Sequence, residues 1–215
     1  MPKRLAPARR HDFAECSRFP LGPIALHPLR AQQGGVSHAA IPSAPLIVTA
    51  ELPPPIQRWA SALRAAHFPP ERNFLQAHVT LFHALPVVLL EEARALLSGL
   101  AAGHAPVEAR LVGIMDLGGG TALRLESPGM LALRERIADH FHGMLTAQDS
   151  HAPRLHVTVQ NKVARADAIA LQQRLSGEIA RQSFAFTGLA LHHYAGGPWT
   201  PAGGWAFRGK VRVGS

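Results

Sequence analysis

Apolar and polar positions divide most of the chain into short elements. PLIVTAEL (45–52) is a β-branched apolar run stopped by Pro53, Pro54 and Pro55, which predicts a buried strand. IQRWASALRAAHF (56–68) places Ile56, Trp59, Ala60, Leu63 and Ala66 at helical spacing and ends before Pro69 and Pro70. LQAHVTLFHAL (75–85) alternates as a strand does, and LLEEARALLSGLA (89–101) repeats as a helix does. VEARLVGIMDL (107–117) and TALRLESP (121–128) predict a hairpin across Gly118–Gly120. A helix is predicted over 129–145, a strand over RLHVTVQNKV (154–163) and a helix over 166–180. Strands over 184–194 and 204–213 complete the set.

The two halves follow one order: strand, helix, a strand carrying His-Val-Thr, helix. The motif histidines, His78 and His156, lie 78 residues apart, and outside the motif the halves share almost no sequence. Antiparallel strands with helices on one side give an α+β fold. A repeated half of this kind implies a bilobal, pseudo-symmetric molecule. Its two antiparallel sheets would face each other across a central cleft, with the helices packed outside.

Residues two apart in a strand share a face. In the first motif Ala77, Val79 and Leu81 form the apolar face, leaving His78, Thr80 and Phe82 on the other. In the second, Leu155, Val157 and Val159 are apolar, while Arg154, His156, Thr158 and Gln160 share the opposite face. Either histidine alone reads as an ordinary half-buried residue. The matched pair, each with its threonine, favours a site of two imidazoles and two hydroxyls. That set suits phosphodiester chemistry. One imidazole removes a proton from the attacking oxygen and the other delivers one to the leaving oxygen. The hydroxyls can donate to non-bridging phosphate oxygens, and no metal is required. Phe82 is a candidate to stack on a base, against a rim packing residue. Arg154 is a candidate phosphate contact, against a solvated strand-end charge. Trp199, in the glycine-rich stretch 194–205, would either cover a nucleoside or pin its loop.

The paired motifs in NFLQAHVTLFHALP and RLHVTVQNKV, with HYAGGPW as weaker support, resemble the 2H phosphoesterase superfamily. Within it they are most similar to the bacterial 2′-5′ RNA ligase and cyclic phosphodiesterase branch. The resemblance spans roughly 45–213. It implies a metal-free hydrolase for 2′,3′-cyclic phosphate ends or 2′-5′ linkages, with His78, Thr80, His156 and Thr158 at the motif positions. The partners it implies are RNA 3′ ends or small cyclic nucleotides. The chain departs from the pattern after the second motif, where Gln160 and Asn161 precede Lys162. The competing reading is a non-catalytic nucleotide- or RNA-binding module using the same cleft.

Charge and composition refine this picture. The net charge is +8. Residues 1–30 hold six Lys and Arg against two acids, and the other 185 hold sixteen against twelve. The body is therefore only mildly basic, which suits a small or single-stranded anion better than duplex. Residues 1–43 are rich in proline and lack periodicity, so they read as a poorly ordered leader, with an RNA-gripping arm as the alternative. Residues 44–215 read as a single two-lobed domain. Cys16 is the lone cysteine, which excludes an internal disulfide or a cysteine metal site and fits a reducing, cytoplasmic setting. No apolar run reaches the length of a membrane span. The 13 histidines invite a metal reading. However, His78 and His83 fall on opposite strand faces, as do His192 and His193, His140 and His142 lie about 200° apart on their predicted helix, and no H-E-x-x-H occurs. No cofactor and a monomeric state are expected.

Overall fold

A computed structural model describes residues 44–210. The expectations for the 1–43 leader, and for the last strand beyond residue 210, lie outside them. The elements are β1 (Leu46–Glu51), α1 (Pro54–His67), β2 (Val79–Leu85), α2 (Leu90–Gly103), β3 (Val107–Asp116) and β4 (Gly120–Glu126). They continue with α3 (Pro128–His140), β5 (His156–Asn161), α4 (Arg165–Glu178), β6 (Gln182–Phe186), β7 (Gly188–His193) and β8 (Thr200–Ala206).

The strands form two four-stranded sheets, in the orders β2-β1-β7-β8 and β5-β4-β3-β6. Every pairing is antiparallel. This is the α+β architecture expected from the sequence, and each His-Val-Thr strand is an edge strand of its own sheet. α2 packs on β7 and β8, and α4 on β3 and β4. The apolar face of β1 (Leu46, Val48, Ala50) is buried, as are Ala93, Leu97 and Ala101 of α2. Leu123, Val157 and Val159 are buried in the other sheet, and Ala168, Leu171 and Leu175 of α4 with them. α1 reaches across to β5, in the sheet to which β1 does not belong.

Three boundaries differ from the sequence reading. The helix expected over 129–145 ends at His140, because the chain turns through Gly143 at φ +81°, where glycine is favoured. The strand expected over 184–194 is two strands, β6 and β7, in different sheets. At the break the Thr187 amide donates to the Glu51 carbonyl, and the Thr187 carbonyl accepts from the Phe207 amide. The last strand among the described residues is β8, six residues after β7, and it stops at Ala206. There the amides of Arg208 and Gly209 turn to the Ala101 and His104 carbonyls at the end of α2.

Gly188 opens β7 where a methyl group would overlap the Trp205 backbone carbonyl. Gly188→Ala is therefore expected to destabilise the fold by about 1–3 kcal/mol, the usual cost of overpacking. Thermal denaturation checks this, and an unchanged Tm would contradict the close approach.

Candidate active site

Both motif strands are out of step with their neighbours by one residue, at the same place. Thr80 pairs with Thr49 of β1, and Phe82 pairs with Val48, so Leu81 is the extra residue of a bulge. Thr158 pairs with Ala122 of β4, and Gln160 pairs with Thr121, so Val159 is extra. A bulge inserts one residue and reverses the alternation beyond it. The aliphatic residue after each threonine is the inserted one, and the residue after that turns into the interior. Phe82 is accordingly fully buried beneath the Arg134 guanidinium, 4.4 Å from its ring centre. This corrects the expectation that Phe82 shares the His78 face and stacks on a base. Gln160 is likewise buried and bonded by Thr121. Lys162 lies past the end of β5, at φ 58°.

His78 and His156 are oriented alike. Nδ1 of His78 donates to the Gln76 carbonyl at 2.8 Å, and Nδ1 of His156 to the Arg154 carbonyl at 2.7 Å. A carbonyl can only accept, so each neutral ring carries its proton on Nδ1 and presents Nε2 as a basic lone pair. Both rings are half-buried, as are Thr80 and Thr158. Burial lowers the His78 pKa to about 4. The Gln76 carbonyl opposes that shift, and the charges of Arg64, His192 and His156 reinforce it. Burial also lowers His156, against its Arg154 carbonyl bond, with the charges of His83 and Arg154 adding to the shift. β2 and β5, the strands of the two motifs, are in contact.

Arg64 on α1 ties the two motifs together. It is 4% exposed. Its guanidinium donates to the Leu75 carbonyl at 3.3 Å, just before the first motif, and to the Thr158 carbonyl at 2.6 Å, inside the second. Sequence reading missed it, because a lone arginine in an amphipathic helix reads as solvated. Trp199 packs on His78 (4.5 Å between ring centres) and on His192 (5.3 Å). His192 Nε2 lies 3.1 Å from the Thr49 hydroxyl. These residues, with Glu51, line a cavity of about 530 Å³ beside His78. Burial raises the Glu51 carboxyl.

On the other sheet the Arg154 side chain is exposed and lines a cavity of about 720 Å³ with Arg110 and Arg124. Arg124 stands directly across the ladder from His156, so the two side chains share a face. Only the strand register reveals that neighbour. Among the described residues, no three His, Cys, Asp or Glu side chains converge to hold a metal ion. No helix there is long and apolar enough to cross a membrane.

The two His-Val-Thr motifs thus lie on two edge strands, one from each four-stranded sheet. TT0787 of Thermus thermophilus is similar at 18% identity over 77% of this chain and 99% of its own, with a TM-score of 0.55. A phosphoesterase is similar at 23% identity over 77% and 98%, with a TM-score of 0.50. E. coli LigT, solved with NADP+, is similar at 23% identity over 77% and 98%, with a TM-score of 0.49. The sequence model of the 2′-5′ RNA ligase superfamily matches residues 52–198, and the chain belongs to that family. No curated protein matches the chain.

Proposed function

We propose that the protein is a metal-independent phosphodiesterase acting on 2′,3′-cyclic phosphate ends or 2′-5′ linkages of RNA or small nucleotides. The observation that carries this reading is the matched orientation of His78 and His156. Each is locked by a carbonyl two residues earlier, and each has a threonine on its own strand face. A phosphodiester between them would meet a basic Nε2 on one side and, after protonation of the other ring, an acidic N–H on the opposite side. His78, whose pKa burial lowers to about 4, suits the base in hydrolysis. His156 suits the acid that protonates the leaving oxygen. Thr80 and Thr158 would hold the non-bridging oxygens. Arg154 and Arg124 would favour an anion near His156. Trp199 would cover a nucleoside in the cavity beside His78.

The test is turnover of a 2′,3′-cyclic nucleotide by the full chain in excess EDTA. Hydrolysis to the monophosphate, unchanged by chelator, is the expected result. Tight nucleotide binding with no turnover would instead favour the recognition module. Activity lost to EDTA and restored by a divalent cation would overturn the metal-free mechanism.

A further inference from the structure

We propose that His83 is a third substrate-contacting imidazole, fixed by the buried carboxylate of Asp149 so that its outward ring nitrogen meets a phosphate oxygen on the Thr80 face of the site. The proposal rests on the phosphodiester reading of the site.

Strict alternation puts His83 on the core side of β2, but the bulge at Leu81 reverses that. Phe82 pairs with Val48 and Leu85 with Leu46, and all four are buried on the apolar face. His83 and Ala84 are left opposite Ile47, on the face that carries Thr49 and Thr80. The His83 side chain is 41% exposed, whereas that of Asp149 is 1% exposed. Asp149 comes from the loop between α3 and β5, in the other half of the chain. Its carboxylate accepts from the His83 amide at 2.9 and 3.0 Å and from the Ala84 amide at 2.9 Å. It also accepts from Nδ1 of His83 at 3.1 Å. Burial works to raise the Asp149 carboxyl, but these bonds outweigh it and hold the group ionised. Arg134 donates to the Asp149 backbone carbonyl, which fixes the loop.

A buried carboxylate on Nδ1 does two things to an imidazole. It selects the tautomer with Nε2 outward, and it fixes the ring so that, when both nitrogens carry a proton, Nε2–H is aimed at an anion. Arg124 and Arg154 serve the His156 side, and among the described residues the groups nearest the Thr80 face offer no other free cation. The Arg64 guanidinium is spent on carbonyls, Gln160 is buried and uncharged, and Lys162 is beyond the far end of β5. His83, by contrast, stands half-exposed on the Thr80 face of β2. The alternative is that the pair only pins the 146–153 loop to β2.

Inorganic phosphate, as a competitive inhibitor of cyclic nucleotide hydrolysis and as a calorimetric ligand, separates the two. His83→Ala is expected to weaken phosphate binding by about 10-fold or more, the worth of a hydrogen bond to a charged group. KM should rise while Tm stays nearly constant. His83→Gln, which keeps an N–H donor, should recover part of the affinity. Phosphate affinity within twofold of wild type in His83→Ala would overturn the proposal, whatever happens to Tm. Wild-type protein that turns over no cyclic nucleotide would overturn the phosphodiesterase reading instead. Calorimetric phosphate binding would still decide the role of His83.

Discussion

His78→Ala and His156→Ala are each expected to lower kcat/KM for a 2′,3′-cyclic nucleotide by about 10²–10⁴-fold, the usual contribution of a positioned proton-transfer group. The double variant should lose less free energy than the two singles added together, because both groups serve one transition state. Thr80→Ala or Thr158→Ala should lose about 10–100-fold, as one hydrogen bond to a charged oxygen. The pH profile follows from the two depressed imidazoles. The base must be neutral, so the rising limb of kcat/KM should reflect the His78 value of about 4. The acid must be protonated, and burial holds His156 below the ordinary imidazole value, so the falling limb should lie below pH 6.5. Free-enzyme activity should therefore peak on the acid side of neutrality, with limbs that belong to the coupled pair. Bound phosphodiester favours an imidazolium, so the falling limb of kcat should lie higher than that of kcat/KM. His156→Ala with near-full activity would refute the two-histidine mechanism.

Arg64→Leu is expected to be the most damaging substitution outside the histidines. It strands the Leu75 and Thr158 carbonyls, and each buried group left unpaired costs about 1–3 kcal/mol. Chemical denaturation should show a loss of about 2–5 kcal/mol. The folded fraction should also change its pH response. The Arg64 cation is one cause of the low His78 pKa, so its removal should move the rising limb of kcat/KM to higher pH. A stable Arg64→Leu protein with an unmoved rising limb would show that Arg64 neither ties the motifs together nor tunes His78.

The residues most legible in the sequence were those whose signal is local. His78, Thr80, His156 and Thr158 sit two apart in apolar strands, and period two places each pair on one face. The α+β class followed from the order of elements. Phe82 was misplaced because a bulge is a property of pairing: nothing within LFHAL shows that β1 skips Leu81. The same slip hid His83, which alternation put on the wrong face. Arg64, Arg124 and Asp149 were invisible for a related reason. Their partners lie 94, 32 and 66 residues away in the chain, and no periodicity reports contacts at that range. The split at Thr187 was missed because the run from 184 to 194 stays apolar while changing sheets.

That split has a consequence for how the polypeptide is made. Once β1 has emerged from the ribosome, it waits for a neighbour, β7, that begins at Gly188. The second sheet waits in the same way for β6. The first half of the duplicated pattern therefore cannot mature until the second is nearly complete, and the inner edges of β3 and β1 stay unpaired until translation passes about residues 186 and 193. Such long-range closure slows folding and leaves nascent strands open to wrong partners. The two lobes that look like separable copies are thus one obligate cooperative unit, completed in a single late event.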